Sequence, residues 1–177
     1  GIQLKDTIKA LQNSSIQPLE ILICIPNSSE LLVNIDLSDN VEIIRTNKKG
    51  QVFQRMTGFL AAKGELVLQI DDDVCLEKNT IKRLVNCLDS LGEKAAIAPS
   101  ILKKGTTDQS VFTRNRNTIT HRVSDWVMNG ASGYKPGMIS LSGVGFGLDF
   151  NDKAEDKTES EWLPGGCILH RSQNLIT

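Results

Sequence analysis

Leu66-Val67-Leu68-Gln69-Ile70-Asp71-Asp72-Asp73 is an apolar run closed by three successive carboxylates. The run follows the helix stop Lys63-Gly64 and reads as a buried β-strand over Glu65 to Ile70. Side chains alternate along a strand, so Asp71 and Asp73 are expected on one face and Asp72 on the other. At a separation of roughly 5–7 Å, two unit charges repel by about 2–3 kcal/mol at an effective dielectric near 20. Folding alone does not call for that cost. A bound divalent cation offsets it, and clustered oxygen ligands suit hard ions such as Mg²⁺ or Mn²⁺. The pair can hold the ion together, or one member can bind it while the other contacts the ion's ligand. Such ions share their shell with phosphate oxygens, so a phosphorylated substrate is the expected partner. The structural alternative is a solvated acidic loop, against which stands the core strand running straight into the cluster.

Upstream, Leu4, Ile8 and Leu11 recur at helical spacing and predict a short helix ending before Pro18. Glu20 to Ile25 and Val41 to Arg45 read as strands. Thr46-Asn47-Lys48-Lys49-Gly50 leads into a predicted helix from Gln51 to Ala62, with Val52, Met56, Phe59 and Leu60 facing inward. Lys48, Lys49 and Arg55 flank the start of that helix, where free backbone N–H groups also attract anions. A solvated basic turn accounts equally for Lys48 and Lys49. Downstream, a helix starts at Asn79 or Thr80, buries Ile81, Leu84, Val85, Leu88 and Leu91, and stops at Gly92. Ala95 to Leu102 supplies a further strand around Pro99. Strands alternating with helices of this length indicate an α/β fold with a mostly parallel sheet, whose ligands gather at the carboxyl ends of the strands.

The second half is less regular. Residues 103–125 read as polar and irregular, a hairpin or an excursion from the sheet. Residues 137–150 look extended and glycine-rich, and Asn151 to Glu161 form a charged loop. Trp162-Leu163-Pro164-Gly165-Gly166 then enters a last strand, Cys167 to His170. Paired glycines at the mouth of a strand allow close backbone approach, and the Trp offers a flat surface for a sugar ring. A core Trp beside a tight turn fits the same residues.

Composition narrows the class. Of 177 residues, 40% are hydrophobic and 23% charged, the profile of one ordinary globular domain. Lys+Arg at 20 nearly balances Asp+Glu at 21, which argues against broad nucleic-acid binding. No apolar stretch approaches the roughly 18–20 residues of a spanning helix, and the start lacks the order of a signal peptide. Cys24, Cys75, Cys87 and Cys167 are scattered without a CxxC pair, which predicts thiols in a reducing, cytoplasmic setting and no zinc site.

Four segments together resemble the GT-A catalytic domain of a family 2 glycosyltransferase. They are Glu20-Ile-Leu-Ile-Cys-Ile25, Gln51-x-x-Gln54-Arg55-x-x-Gly58-x-x-x-Ala62-x-Gly64, Ile70-Asp-Asp-Asp-Val74 and Trp162-Leu-Pro-Gly-Gly166. The resemblance covers residues 1–100 and 160–177. It implies a Rossmann-like GT-A sheet flanked by helices, a nucleotide-diphosphate sugar donor, Mg²⁺ or Mn²⁺, and transfer with inversion to a saccharide or lipid-linked acceptor. The Asp-x-Asp roles fall to Asp71 on the donor's ribose side and Asp73 on the metal, with Asp71 able to share the metal. Asp72, Gln51 and Arg55 complete the donor side, and Trp162, Gly165 and Gly166 border the acceptor. Residues 1–102 would then form the nucleotide-sugar part and residues 103–177 the acceptor part of a single domain. Polysaccharide biosynthesis, with peripheral association at the inner face of the cytoplasmic membrane, follows by analogy.

Three departures accompany the resemblance. Family members usually begin with a strand bearing a Val-Ile-Pro-Thr-like motif, whereas this chain starts in the following helix. Pro26-Asn27-Ser28 stands where an acidic pair helps to bind the base. The general base normally follows the glycine pair in a Glu-Asp motif and is expected beyond Thr177; Glu159 and Glu161 precede the pair and are not assigned that role. The expectation is therefore a domain incomplete at both ends. A non-catalytic module that binds nucleotide and metal is the main alternative. An aspartate-nucleophile phosphatase is a weaker one, because Cys75 stands where its motif wants Thr or Val.

Overall fold

In the computed structural model, residues 2–28, 39–101, 118–148 and 157–175 are described. The chain forms two compact units, Gly1–Pro99 with Pro164–Thr177, and Ser100–Leu163.

The first unit is built around two small sheets. Helix α1 (Ile2–Gln12) leads through Pro18 into β1 (Ile21–Pro26), which pairs in parallel with β2 (Val41–Thr46) from Ile21↔Val41 to Pro26↔Thr46. Helix α2 (Gln51–Ala61) precedes β3 (Leu66–Ile70), and α3 (Thr80–Asp89) follows it. β3 pairs with β4 (Cys167–Arg171), in antiparallel register from Leu66↔Arg171 to Ile70↔Cys167. The predicted strands thus appear in an α/β arrangement, although the last of them runs antiparallel and the sheet is divided in two. One core serves both sheets. Ile8, Leu11, Ile21, Ile23, Val41 and Ile81 are buried together, with Leu68 and Ile70 of β3 packed against them. Leu84, Leu88 and Leu169 form a second cluster.

Hydrogen-bond parity exposes one edge of each sheet. Ile21 N–H donates to Asn40 O and Asn27 N–H to Thr46 O, so the odd-numbered residues of β1 serve the ladder. Leu22 and Cys24 therefore direct their main-chain groups to the opposite edge. In β3 the bonds from Asp71 N–H to Gly166 O and from Ser172 N–H to Glu65 O leave Leu66, Leu68 and Ile70 facing away from β4. Among the described residues no strand pairs with either edge. Gln54 Nε2 occupies Cys24 O at 2.8 Å, and Thr7 Oγ1 occupies Asp72 O at 2.9 Å, just past β3.

Helix α2 corrects the predicted inward face. Val52 is 83% exposed and Leu60 59%, and Met56 is exposed as well; of the four predicted residues only Phe59 is partly covered. The face against the sheets is instead set by polar demands and by a glycine. Gln54 satisfies a β1 carbonyl, and a Cβ on Gly58 would lie 3.2 Å from Cys24 Sγ, so the small residue permits the approach. Phe59 meets His170 of β4 edge-on at 6.0 Å. Helix α3 matches its prediction at Ile81, Leu84 and Leu88, whereas Leu91 lies beyond the helix end and is partly exposed. The strand expected over Ala95 to Leu102 reduces, over its described residues, to a single bridge, Ile97↔Leu169. Pro99 has no N–H with which to extend the ladder.

The second unit contains helix α4 (Ile119–Asn129), whose residues up to 125 correct the expectation of irregular chain over 103–125, with Thr118 Oγ1 accepting from His121 N–H at its start. Gly130, at φ 57°, ends it in a conformation that side chains resist. Residues 103–117 of that stretch lie outside the described residues. Ile119, Val123, Trp126 and Val127 recur at helical spacing yet face solvent, Ile119 at 80% and Val127 at 70%. The opposite face buries Asp125 and Asn129. Asn129 donates to Gly133 O at 2.7 Å and accepts from Leu141 N–H at 3.2 Å, so the amide fixes the turns after the helix. Within the glycine-rich stretch, Ile139↔Gly145 is a single antiparallel bridge, and Phe146 is fully buried beside Tyr134. Residues 149–156, including residues 151–156 of the predicted charged loop, lie outside the described residues.

Burial lowers the pKa of His170 from its ordinary 6.5, and its Nε2 has no hydrogen-bond partner among the described residues. A histidine held neutral in the fold takes up a proton more readily when unfolded. Its contribution is intact above 6.5 and is lost as pH falls through that value. Urea midpoints are therefore expected to drop between about pH 7.5 and about pH 5.5, and His170→Phe to lessen that drop.

Candidate functional site

The tip of β3 is fixed by main chain first. Asp71 N–H donates to Gly166 O at 2.9 Å, one step past the Ile70↔Cys167 pair, so the carboxylate cluster and the glycine pair meet at one end of the antiparallel ladder. β3 ends at Ile70, and Asp72 and Asp73 lie in a turn in which Val74 N–H reaches Asp71 O at 3.3 Å. The period-two alternation expected to put Asp71 and Asp73 on one face therefore stops before Asp73. Helix α1 and the chain after it hold the loop at both ends. Thr7 bonds Asp72 O, while Ser15 N–H and Ser14 Oγ both donate to Lys78 O, at 2.8 and 3.2 Å.

Side chains complete the site. Arg55 Nη2 lies 2.7 Å from Asp71 Oδ1 and also donates to Gly165 O at 3.0 Å. The two side chains are only 27% and 34% exposed, so the pair is partly shielded. Gln69 Nε2 donates to the same Gly165 carbonyl at 2.6 Å. Gln51 lies one helical turn before Arg55 on the same face of α2, at its exposed start. Lys48 and Lys49 are exposed, and Lys48 Nζ sits 5.8 Å over the Phe53 ring.

Asp72 and Asp73 are exposed, and neither carboxylate has an ion-pair partner among the described residues. Behind the tip, Cys167 is fully buried, and burial first, then the Asp71 charge, push its thiol up to about 12. All four cysteines are free.

The predicted residues thus separate into two groups. Arg55, Asp71, Gly165 and Gly166 come together in the first unit, with Asp72 and Asp73 on the adjoining turn. Trp162 belongs to the second unit. There its Nε1 donates to Phe146 O at 2.9 Å, and its ring lies against Gly145, where a Cβ would come within 2.9 Å of Nε1. Gln69 and Thr7 were not anticipated. Gln69 carried a signal, an amide inside an otherwise apolar strand; Thr7 carried none.

Hard oxygen donors at this tip suit Mg²⁺ or Mn²⁺, within limits. Among the described residues no three His, Cys, Asp or Glu side chains form a ready-made cage, and Asp71 is already paired with Arg55. The exposed Asp73 fits an ion bound by one or two carboxylates that completes its shell from phosphate and water. A closed protein site does not fit.

The strand tip thus joins carboxylates, a guanidinium and a glycine pair. The chain is a member of glycosyl transferase family 2, whose profile matches residues 3–141. Its α/β architecture is accordingly the GT-A fold of that family. The matched range includes Arg55 and the three aspartates and ends before Trp162. Comparison with curated proteins finds no match, and comparison with solved structures finds none.

Proposed function

We propose that this chain carries the donor site of a metal-dependent, inverting glycosyltransferase that moves a sugar from a nucleotide-diphosphate donor to a saccharide or lipid-linked acceptor. The observation that carries this reading is the junction of the Asp71 tip with the Gly165-Gly166 ribbon through Arg55, inside a chain of this family.

In this reading Asp71 and Asp72 receive the donor's ribose side. Gln51, at the start of α2, faces the diphosphate together with the free N–H groups of the helix terminus. Mg²⁺ or Mn²⁺, held by Asp73 and shared with Asp71, supplies charge neutralisation for the departing nucleoside diphosphate. Gly165 and Gly166 let the acceptor approach the backbone closely. Residues 1–102 form the donor part and residues 103–177 the acceptor part. No described carboxylate is assigned as the base; Glu161, for one, is engaged by Ile139 N–H at 2.7 Å. We place the protein on the cytoplasmic side, its acceptor presented at the membrane face. No helix among the described residues is long and apolar enough to cross a membrane.

Calorimetric titration of UDP, GDP, ADP and CDP into the chain tests the reading. At least one is expected to bind in Mn²⁺ and to lose binding in EDTA. Equal affinity in both conditions, or no binding of any of the four, counts against it.

A further inference from the structure

We propose that Arg55 is a positioning residue, which orders the donor site by gripping the Asp71 carboxylate and the Gly165 carbonyl with one side chain. The proposal rests on the donor reading above and adds a role that it does not contain, since there Asp71 and Gly165 act independently.

The geometry is specific. A single nitrogen, Nη2, serves both acceptors, at 2.7 Å to Asp71 Oδ1 and 3.0 Å to Gly165 O. The guanidinium packs over a glycine: a Cβ at Gly165 would stand 3.3 Å from Nη1. Gln69 supplies the second hydrogen bond to the Gly165 carbonyl, and Asp71 N–H holds Gly166 O. Side chain and main chain thus tie the same two segments together, the end of β3 and the entry to β4. Arg55 comes from a third element, α2, so it sets the distance of both from the helix face that bears Gln51.

Partial burial separates this pair from freely exposed ion pairs, most of which contribute little. A planar fork of five donors can meet two acceptors in fixed directions; an ammonium on a flexible stem cannot hold them in the same way. With the guanidinium on Oδ1, the Asp71 carboxylate turns its second oxygen to the donor's hydroxyl and to its share of the metal ion.

A double-mutant cycle tests the role. The probes are UDP, GDP, ADP and CDP with excess Mn²⁺, and the proteins are the parent chain, Arg55→Gln, Asp71→Asn and the double variant. If Arg55 acts through Asp71, each single change weakens nucleotide binding about tenfold, and the double variant falls within about twofold of the weaker single. Losses that multiply, or unaltered binding by Arg55→Gln, overturn the proposal; the first result would mean that Arg55 touches the nucleotide itself.

A second arm needs no nucleotide. Exchange of the Asp71 amide, which donates to Gly166 O, is expected to quicken about tenfold in Arg55→Gln relative to the Leu169 amide, which donates to Ile97 O at 2.8 Å. An unchanged ratio overturns the positioning role. If no nucleotide binds the parent chain, the donor reading fails while the exchange ratio still decides the role of Arg55.

Discussion

Asp73→Ala is expected to reduce Mn²⁺-dependent nucleotide binding by roughly a hundredfold or more, about 2.7 kcal/mol, with no loss of folding stability. The two halves of this expectation come from the same geometry. Asp73 is exposed in the turn after β3, and among the described residues its carboxylate holds nothing in place. Removing one of three adjacent negative charges relieves repulsion instead of breaking a contact, so the melting temperature should stay level or rise slightly. Binding depends on Asp73 more heavily because Asp71 is committed to Arg55 and few protein oxygens remain for the ion. Thermal melts and calorimetry on the same preparation separate the two effects. A variant that binds nucleotide and Mn²⁺ like the parent would remove Asp73 from the metal site.

The second large effect is structural. Phe146→Ala is expected to destabilise the unit of residues 100–163 by about 3–5 kcal/mol, the usual cost of emptying a fully buried aromatic site. Phe146 has no exposed surface, lies 5.1 Å from the Tyr134 ring, and lends its carbonyl to the Trp162 indole. Tyr134 OH in turn bonds Gly147 O, so one buried ring organises the neighbouring turns. Both tryptophans of the chain, Trp126 and Trp162, lie in this unit, so fluorescence reports on it alone. In urea, the fluorescence midpoint should fall well below that of the parent. A midpoint unchanged in the variant would show that Phe146 does not carry this packing.

What the sequence made legible follows the density of its apolar signal. β1, β3 and α3 were readable because contiguous or helically spaced apolar residues meet clear stops. The faces of α2 and α4 were not readable in that way. In both helices most of the apolar residues point outward, while amides, a guanidinium and a glycine make many of the inward contacts. Gln54 on Cys24 O, Arg55 on Asp71, and Asn129 on Leu141 are each set by a partner distant in sequence. The antiparallel sense of β4 likewise depends on where the chain returns after residues 100–163, which periodicity does not encode. At the site, the aspartates and the glycine pair stood out as motifs. Their junction did not, because it depends on one arginine spanning 110 positions of sequence.

Among the described residues no strand covers the outer edges of β1 and β3. Main-chain groups of Leu22, Leu66, Leu68 and Ile70, aimed away from their ladders, are templates for any extended peptide with matching apolar alternation. A strand laid along either edge would find these groups ready to pair. Gln54 and Thr7 each seat a side chain on a carbonyl at one of these borders, so part of each edge is already satisfied from within the chain.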